Sequence, residues 1–292
     1  MEATLSFAGP IPADRPVSRL VVLGNPESKR VRLFTAAASQ LTSVPVAVVG
    51  YADWLTGRSD LARVNDSSTM VRIDSPGECR RVERACLELG EAAGAASGLE
   101  CVRPPSDRED LPQRGRILQP AQWFFGFREL LRRLERELPH VAWLTRPATI
   151  ARMFDKQDVA EGWAKCGLPV PTQLATPRGY DEIRDLLKVH DRLFVKHRYG
   201  FSATGAVALH RQRAGLRAIT ATELVADELY LTKRQRVLRT ERDIARLVDR
   251  LAGQCILVQP WLPKAKINGR NFDLRIVAVD GQMMHVVGRS SG

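Results

Sequence analysis

Short β-branched runs alternate with helical segments through the first hundred residues, and this alternation restricts the topology more than any other feature of the chain. Arg19-Leu20-Val21-Val22-Leu23-Gly24-Asn25-Pro26 reads as a buried strand ending in a turn, and Lys29 to Leu41 as the helix after it. Pro45 to Gly50 is a second strand, Thr69 to Asp74 a third, and Val82 to Ala93 another helix. Strands joined through helices need crossover connections, so residues 18–100 are expected to be α/β with a parallel sheet. Open parallel sheets take ligands at the carboxyl ends of their strands, here the turns Gly24-Asn25-Pro26 and Asp74-Ser75-Pro76-Gly77. Gly24 lacks the G-x-G-x-x-G spacing, so a dinucleotide site is not expected.

Cys101 to Gly115, rich in Pro, Asp and Arg, reads as a loop. Pro120 to Leu138 is an amphipathic helix whose stripe of Trp123, Phe124, Phe127, Leu130, Leu131 and Leu134 has the spacing of a packing face. Pro139 and Pro147 bracket a junction, beyond which the pattern changes. Two helices follow Ala148, the second from Asp155 to Cys166, stopped by Gly167-Leu168-Pro169. Strands are expected at Thr172–Ala175, Leu193–His197, Ala206–His210, Cys255–Gln259, Phe272–Val279 and Met283–Gly288, with helices at Tyr180–Val189 and Thr240–Ala252. Asp280-Gly281 is a two-residue hairpin turn, so this half reads as α+β with antiparallel pairing, ending on an unpaired edge strand. The expected division is a flexible leader over 1–17, an α/β domain over 18–145, a small domain over 146–258 and the start of a further core over 259–292.

The chain has 292 residues, 44% of them hydrophobic, enough for two buried cores. No apolar run reaches the length of a membrane span, and Met1 to Pro16 lacks the build of a secretory signal, so a cytoplasmic protein is expected. Five cysteines without a C-x-x-C pair argue for free thiols and against a zinc site. The net charge of +11 favours anionic partners. The excess is arginine scattered along the chain, and the densest patch, Lys233-Arg234-Gln235-Arg236 with Arg239, is short. No nucleic-acid-binding motif accompanies it, so nucleic acid is disfavoured as a partner.

Three segments of the second half carry chemistry. Phe154-Asp155-Lys156 opens a helix. Phe194-Val195-Lys196 ends a strand and runs into Tyr199-Gly200-Phe201-Ser202-Ala203-Thr204-Gly205, where small residues let backbone N–H groups approach phosphate oxygens beside an ammonium. Val258-Gln259-Pro260-Trp261-Leu262-Pro263 precedes Asn271-Phe272-Asp273-Leu274-Arg275, in which Asp273 and Arg275 share a strand face. Each segment alone is weak: an exposed lysine or an Asp–Arg pair is commonly structural.

Taken in order, the segments resemble the ATP-grasp superfamily, in its ribosomal-protein glutamate ligase and glutathione-synthetase-like branch, over residues 140–292. The α/β first half resembles the domain that precedes that fold. The resemblance implies that Lys156 and Lys196 contact ATP and that Gly200, Ser202, Thr204 and Gly205 belong to a mobile flap over the triphosphate. It also implies that Gln259, Trp261 and Leu262 grip adenine and that Asp273 contacts ATP, with Arg275 and Arg289 as the catalytic cations. Two departures stand out. Gln259-Pro260 occupies a place where the family commonly has glutamate, and Pro260 lacks an N–H. The family's magnesium ligands have no counterpart here and are expected beyond residue 292, since the only acid after Asp273 is Asp280 in the hairpin turn.

The implied activity uses ATP to turn a carboxylate into an acyl phosphate that an amine or thiol attacks. The implied partners are a small-molecule carboxylate and an amine or peptide, with a homo-oligomer as one possible assembly. Three alternatives stay open: a non-catalytic nucleotide-binding protein or fragment, a small-molecule kinase on the same fold, and a basic nucleic-acid-binding protein.

Overall fold

The computed structural model describes residues 16–77, 79–104, 115–201, 203–279 and 281–291. Most of the expected leader, Ser202, Asp280 and most of the expected loop before Gly115 lie outside the described residues.

The first half contains β1 (Arg19–Gly24), α1 (Lys29–Leu41), β2 (Val46–Gly50), α2 (Tyr51–Leu55), a 3-10 turn (Leu61–Val64), β3 (Thr69–Ile73), α3 (Arg80–Ala96), α4 (Pro120–Glu137) and β4 (Ala142–Trp143). The strand order is β2-β1-β3-β4, parallel throughout, as the alternation of runs implied. The chain leaves β1 toward β2 and returns to β3 on its other side, so the strand order reverses between β1 and β3. That is the position where open α/β sheets form a crevice.

The aromatic stripe of α4 is a packing face. Trp123, Phe124, Phe127, Leu130, Leu131 and Leu134 are all buried, in one core with Val21, Leu23 and Val71 of the sheet. Helices α3 and α4 meet at two glycines. A Cβ on Gly90 would fall on the Gln122 carbonyl oxygen, and one on Gly126 on the Cys86 carbonyl oxygen. Gln122 is fully buried here and satisfied: its amide donates to Leu87 O at 2.8 Å and Val102 O at 2.9 Å, and its oxygen accepts from Val102 N at 2.9 Å.

The second half contains α5 (Pro147–Phe154), α6 (Lys156–Lys165), α7 (Tyr180–Val189), β5 (Arg192–His197), β6 (Val207–Gln212), β7 (Gly215–Val225), β8 (Glu228–Leu238), α8 (Glu241–Ala252) and β9 (Ile256–Pro260). These strands form an antiparallel sheet in the order β8-β7-β6-β5-β9. One face packs on α7 and α8, where Ile183, Leu187, Ile244, Leu247, Val248 and Leu251 meet Leu193, Val195, Leu209 and Val258. A separate three-stranded sheet follows: β10 (Lys266–Ile267), β11 (Arg270–Val279) and β12 (Gln282–Ser291). Val279 pairs with Gln282, which leaves the expected two-residue turn, with Gly281 at φ +71°. β12 is an edge, and Leu274, Ile276, Met283 and Met284 of this hairpin are exposed.

Two expectations need correction. Thr172–Ala175 forms no strand, only an isolated bridge between Ala175 and Val258. The long hairpin β7–β8 was not anticipated. Its turn, Ala226-Asp227, has both residues at positive φ, +47° and +64°, without the Asn-Gly or Asp-Gly pair that would announce it. The basic run from Lys233 to Arg236 lies in β8 and is exposed, where it conceals a strand behind a charge pattern.

Gly126→Ala should destabilise the chain by about 3 kcal/mol or more, because the methyl group meets helix backbone that cannot give way. Gly162→Ala should be neutral or stabilising by about 0.5–1 kcal/mol, since the nearest atom to its added Cβ is Arg152 Nη2 at 3.7 Å. Urea unfolding of the two variants checks the contrast.

Candidate functional site

The site is built where α6 begins and β5 ends. Asp155 is the N-cap of α6, accepting from Gln157 N at 3.1 Å and Asp158 N at 3.3 Å. The same carboxylate takes both edges of Arg198, Nε to Oδ1 at 2.7 Å and Nη2 to Oδ2 at 2.6 Å. One half-sequestered ion pair thus clamps the helix start to the chain just past β5. The next residue, Lys156, turns its ammonium into the loop. Its Nζ donates to Arg198 O at 3.2 Å and, in a very short contact, to Gly200 O.

Lys196 stands on the face of β5 opposite the α7–α8 core. Alternation puts Phe194 on its side, and the register adds Leu257 and Gln259 of β9, which face Lys196 and Phe194 respectively. Burial first, and then the neighbouring Lys196 charge, push the Lys156 ammonium down to about 8 against the opposing pull of Asp155. Burial alone lowers Lys196. Lys156 therefore feels the charge of a second partly desolvated cation, while Asp155, the carboxylate that pulls on it, is engaged by Arg198.

The loop after β5 is moulded over His197. His197 is fully buried beneath Gly200 and Gly205: an added Cβ on Gly205 would strike its ring, and one on Gly200 its Cβ. Gly205 also needs its positive φ of +68°. Burial pushes His197 down to about 4, so it is neutral. The Gln254 backbone pulls the other way, yet neither ring nitrogen makes a well-formed hydrogen bond.

The loop expected to be a flap is also anchored by its own packing. Tyr199 is buried and stacks on Phe124 of α4, ring centroids 4.2 Å apart and 8° from parallel. Phe201 lies 5.9 Å from Trp123. Thr204 N donates to Phe201 O at 2.9 Å, and Gly200, Phe201 and Thr204 line a cavity of about 210 Å³ with Trp123 and Glu83. Sequence reasoning missed Arg198, His197 and Tyr199. Asp155 ahead of a helix was the available signal for the clamp, but nothing local reveals its partner.

At the strand end beyond Lys196, Gln259 is buried and its amide donates to Pro171 O at 3.4 Å. The Trp261 N–H is taken by Arg192 O at 3.1 Å, and Leu262 is exposed. Asp273, Arg275 and Arg289 sit apart on the β11–β12 hairpin. Asp273 lies opposite Arg289 in the register, not paired with Arg275, and accepts from its Nε at 2.6 Å. Lys264 Nζ adds a contact to Asp273 at 3.5 Å. Among the described residues no hydrogen bond or ion pair joins this set to Lys156 or Lys196, and no group of three or more His, Cys, Asp or Glu could hold a metal ion.

Residues 148–285 match the YheC/D-like ATP-grasp family. Over these residues the chain is similar to ATP-grasp proteins. Its sheet, helices α5 to α8 and the Lys156–Lys196 pair fall within the matched residues. Among solved structures, D-cycloserine synthetase DcsG is 16% identical, with a TM-score of 0.49 over 91% of this chain and 66% of that one. The ATP-grasp ligase PsnB complexed with minimal precursor is 15% identical, with a TM-score of 0.46 over 94% of this chain and 76% of that one. The ADP complex of PurK, N5-carboxyaminoimidazole ribonucleotide synthetase, is 14% identical, with a TM-score of 0.43 over 92% and 56%. The chain therefore spans just under two thirds of DcsG. No curated protein matches it.

Tyr199→Ala should loosen the loop over residues 199–205 locally. Loss of the stacked pair, worth about 0.5–1.5 kcal/mol beyond its buried area, should speed amide exchange at residues 200–205 by roughly tenfold. Exchange in α7 and α8 should stay unchanged, and mass-spectrometric hydrogen exchange reads both regions.

Proposed function

We propose that the ATP-grasp domain binds ATP with its phosphates between Lys156, Lys196 and the 199–205 loop, and that it serves a ligase that activates a carboxylate. The observation that carries this reading is the partly buried Lys156 ammonium, held on the Arg198 and Gly200 carbonyls and subject to the charge of a second partly buried ammonium, Lys196. Mutual repulsion and lost hydration make that arrangement costly by itself, and a polyphosphate would offset both. Gly200 and Gly205 supply backbone without side chains at the same place, which suits close approach of phosphate oxygens.

The residues at the site fit a triphosphate. Magnesium takes carboxylate oxygens; among the described residues no group of three or more His, Cys, Asp or Glu could hold it, and Asp273 is held by Arg289 and Lys264. In this reading Lys156 exchanges its carbonyl contacts for phosphate oxygens, and Lys196 holds the same charge from the strand. The loop then excludes water from the transferring group. The carboxylate acceptor would lie between the loop and the turn that follows β3 at Asp74, beside the cavity lined by Glu83 and Phe201. With ATP as phosphoryl donor, the product would be an acyl phosphate for attack by an amine or thiol, with ADP released. A second reading, nucleotide binding without turnover, is favoured by the separation of Asp273, Arg275 and Arg289 from the two lysines. A phosphate-release assay screened with amino acids separates the two.

Lys196→Met should weaken ATP binding by about 1.5–3 kcal/mol, roughly one to two decades in the calorimetric Kd. An unchanged Kd removes Lys196 from the site. Because free Lys156 titrates near 8, ATP binding above that pH must take up a proton. Affinity should therefore fall as pH rises from 7.5 to 9.5, approaching about tenfold per unit at the upper end. Lys156→Arg, charged throughout, should flatten the profile.

A further inference from the structure

The amino end of α1 is a second place where positive charge and unused donors gather. Its first turn carries Lys29 and Arg30 and contains no acidic residue. The helix dipole opposes cations at that end and favours an anion there. Ser28, the N-cap, makes no capping hydrogen bond; the residue is more than nine-tenths buried, and its Oγ has no partner among the described residues. A serine at this position ordinarily satisfies a first-turn N–H. Across the crevice, Arg72 of β3 has a buried Nε that is also without a partner, its guanidinium held 4.1 Å over the Phe34 ring.

Asp74 anchors both arginines loosely. Arg30 Nε lies 3.5 Å from its Oδ2, and Arg72 Nη2 lies 3.5 Å from its Oδ1. The peptide oxygen of Asp74 is fixed by the Tyr51 hydroxyl at 2.7 Å, and Asn25 holds the following turn by donating to Pro76 O and Gly77 O. The backbone here is thus rigidly placed while the Ser28 hydroxyl and the Arg72 Nε–H remain unspent. The cluster lies at the carboxyl ends of β1 and β3, where the strand order reverses.

We propose that this crevice binds an oxyanion, the carboxylate or phosphate of a small molecule. Ser28 Oγ–H, Arg30, Arg72 and the first-turn N–H groups of α1 are its donors, and Asp74 orients the two guanidiniums. The binding site stands on these observations alone. Its service to the ligase acceptor rests on the reading under Proposed function, since the turn after Asp74 leads into α3, whose Glu83 borders the ATP-grasp loop.

The test is an amide NMR titration of the full chain with sodium phosphate and, separately, sodium acetate, at constant ionic strength. Saturable shifts are expected at Lys29, Arg30 and Val31. Tighter saturation by phosphate assigns a phosphate ligand, and tighter saturation by acetate a carboxylate. Ser28→Ala and Arg30→Gln, both mild changes, should each weaken binding about tenfold, whereas Lys196→Met should leave it intact. No saturable shift with either anion, or shifts unaltered in both α1 variants, overturns the site. Anion binding retained in a chain that fails to bind ATP would keep the site and remove its role in ligation.

Discussion

The ion pair between Asp155 and Arg198 is the constraint on which the proposed nucleotide site depends. One carboxylate performs two tasks that are usually separate, capping α6 and receiving a guanidinium edge-on. Because Lys156 follows Asp155 directly, and Arg198 follows Lys196 by two residues, the same pair fixes the spacing of both lysines. It also consumes the carboxylate charge that acts on Lys156. The positive potential between the lysines is therefore a product of the clamp: had Asp155 been free, it would have neutralised the site it builds.

This dependence also explains what the amino-acid pattern could and could not reveal. The order of the parallel half follows from local patterning, since β1, β2, β3, α1 and α4 each announce themselves through apolar runs or a helical stripe. Lys156, Lys196, Gly200 and Gly205 were singled out because a family resemblance supplied their order. Arg198 and His197 were not, because their roles come from partners distant along the chain: Asp155 in one case, and the overlying glycines in the other. The β7–β8 hairpin was hidden by its turn, where Ala226 and Asp227 adopt a backbone that their side chains do not advertise. Asp273 shows the same limit. Its same-face neighbour Arg275 was visible two residues away, while its actual partner, Arg289, is set by strand register.

The two halves of the chain meet through more than a linker. Gly115 O accepts from Leu231 N at 2.7 Å, and Ile117 N donates to Leu229 O at 2.7 Å, so the segment before α4 adds to the edge of β8. Arg116 pairs with Glu228 alongside it. Gln254 reaches back to Glu100 O at 3.1 Å. These polar ties run along the side of the sheet, while the aromatic contact of Tyr199 with α4 lies at the loop itself.

That aromatic contact ties the motion of the loop to water. Tyr199 and Phe124 are both buried in the core of the first half, so the loop's apolar root belongs to a different hydrophobic cluster from the strand that carries Lys196. If the loop lifts, two aromatic faces become hydrated, and hydration of apolar surface raises heat capacity. If it settles more deeply over a ligand, the sign reverses. The temperature dependence of a binding enthalpy would thus distinguish a loop that opens from one that closes.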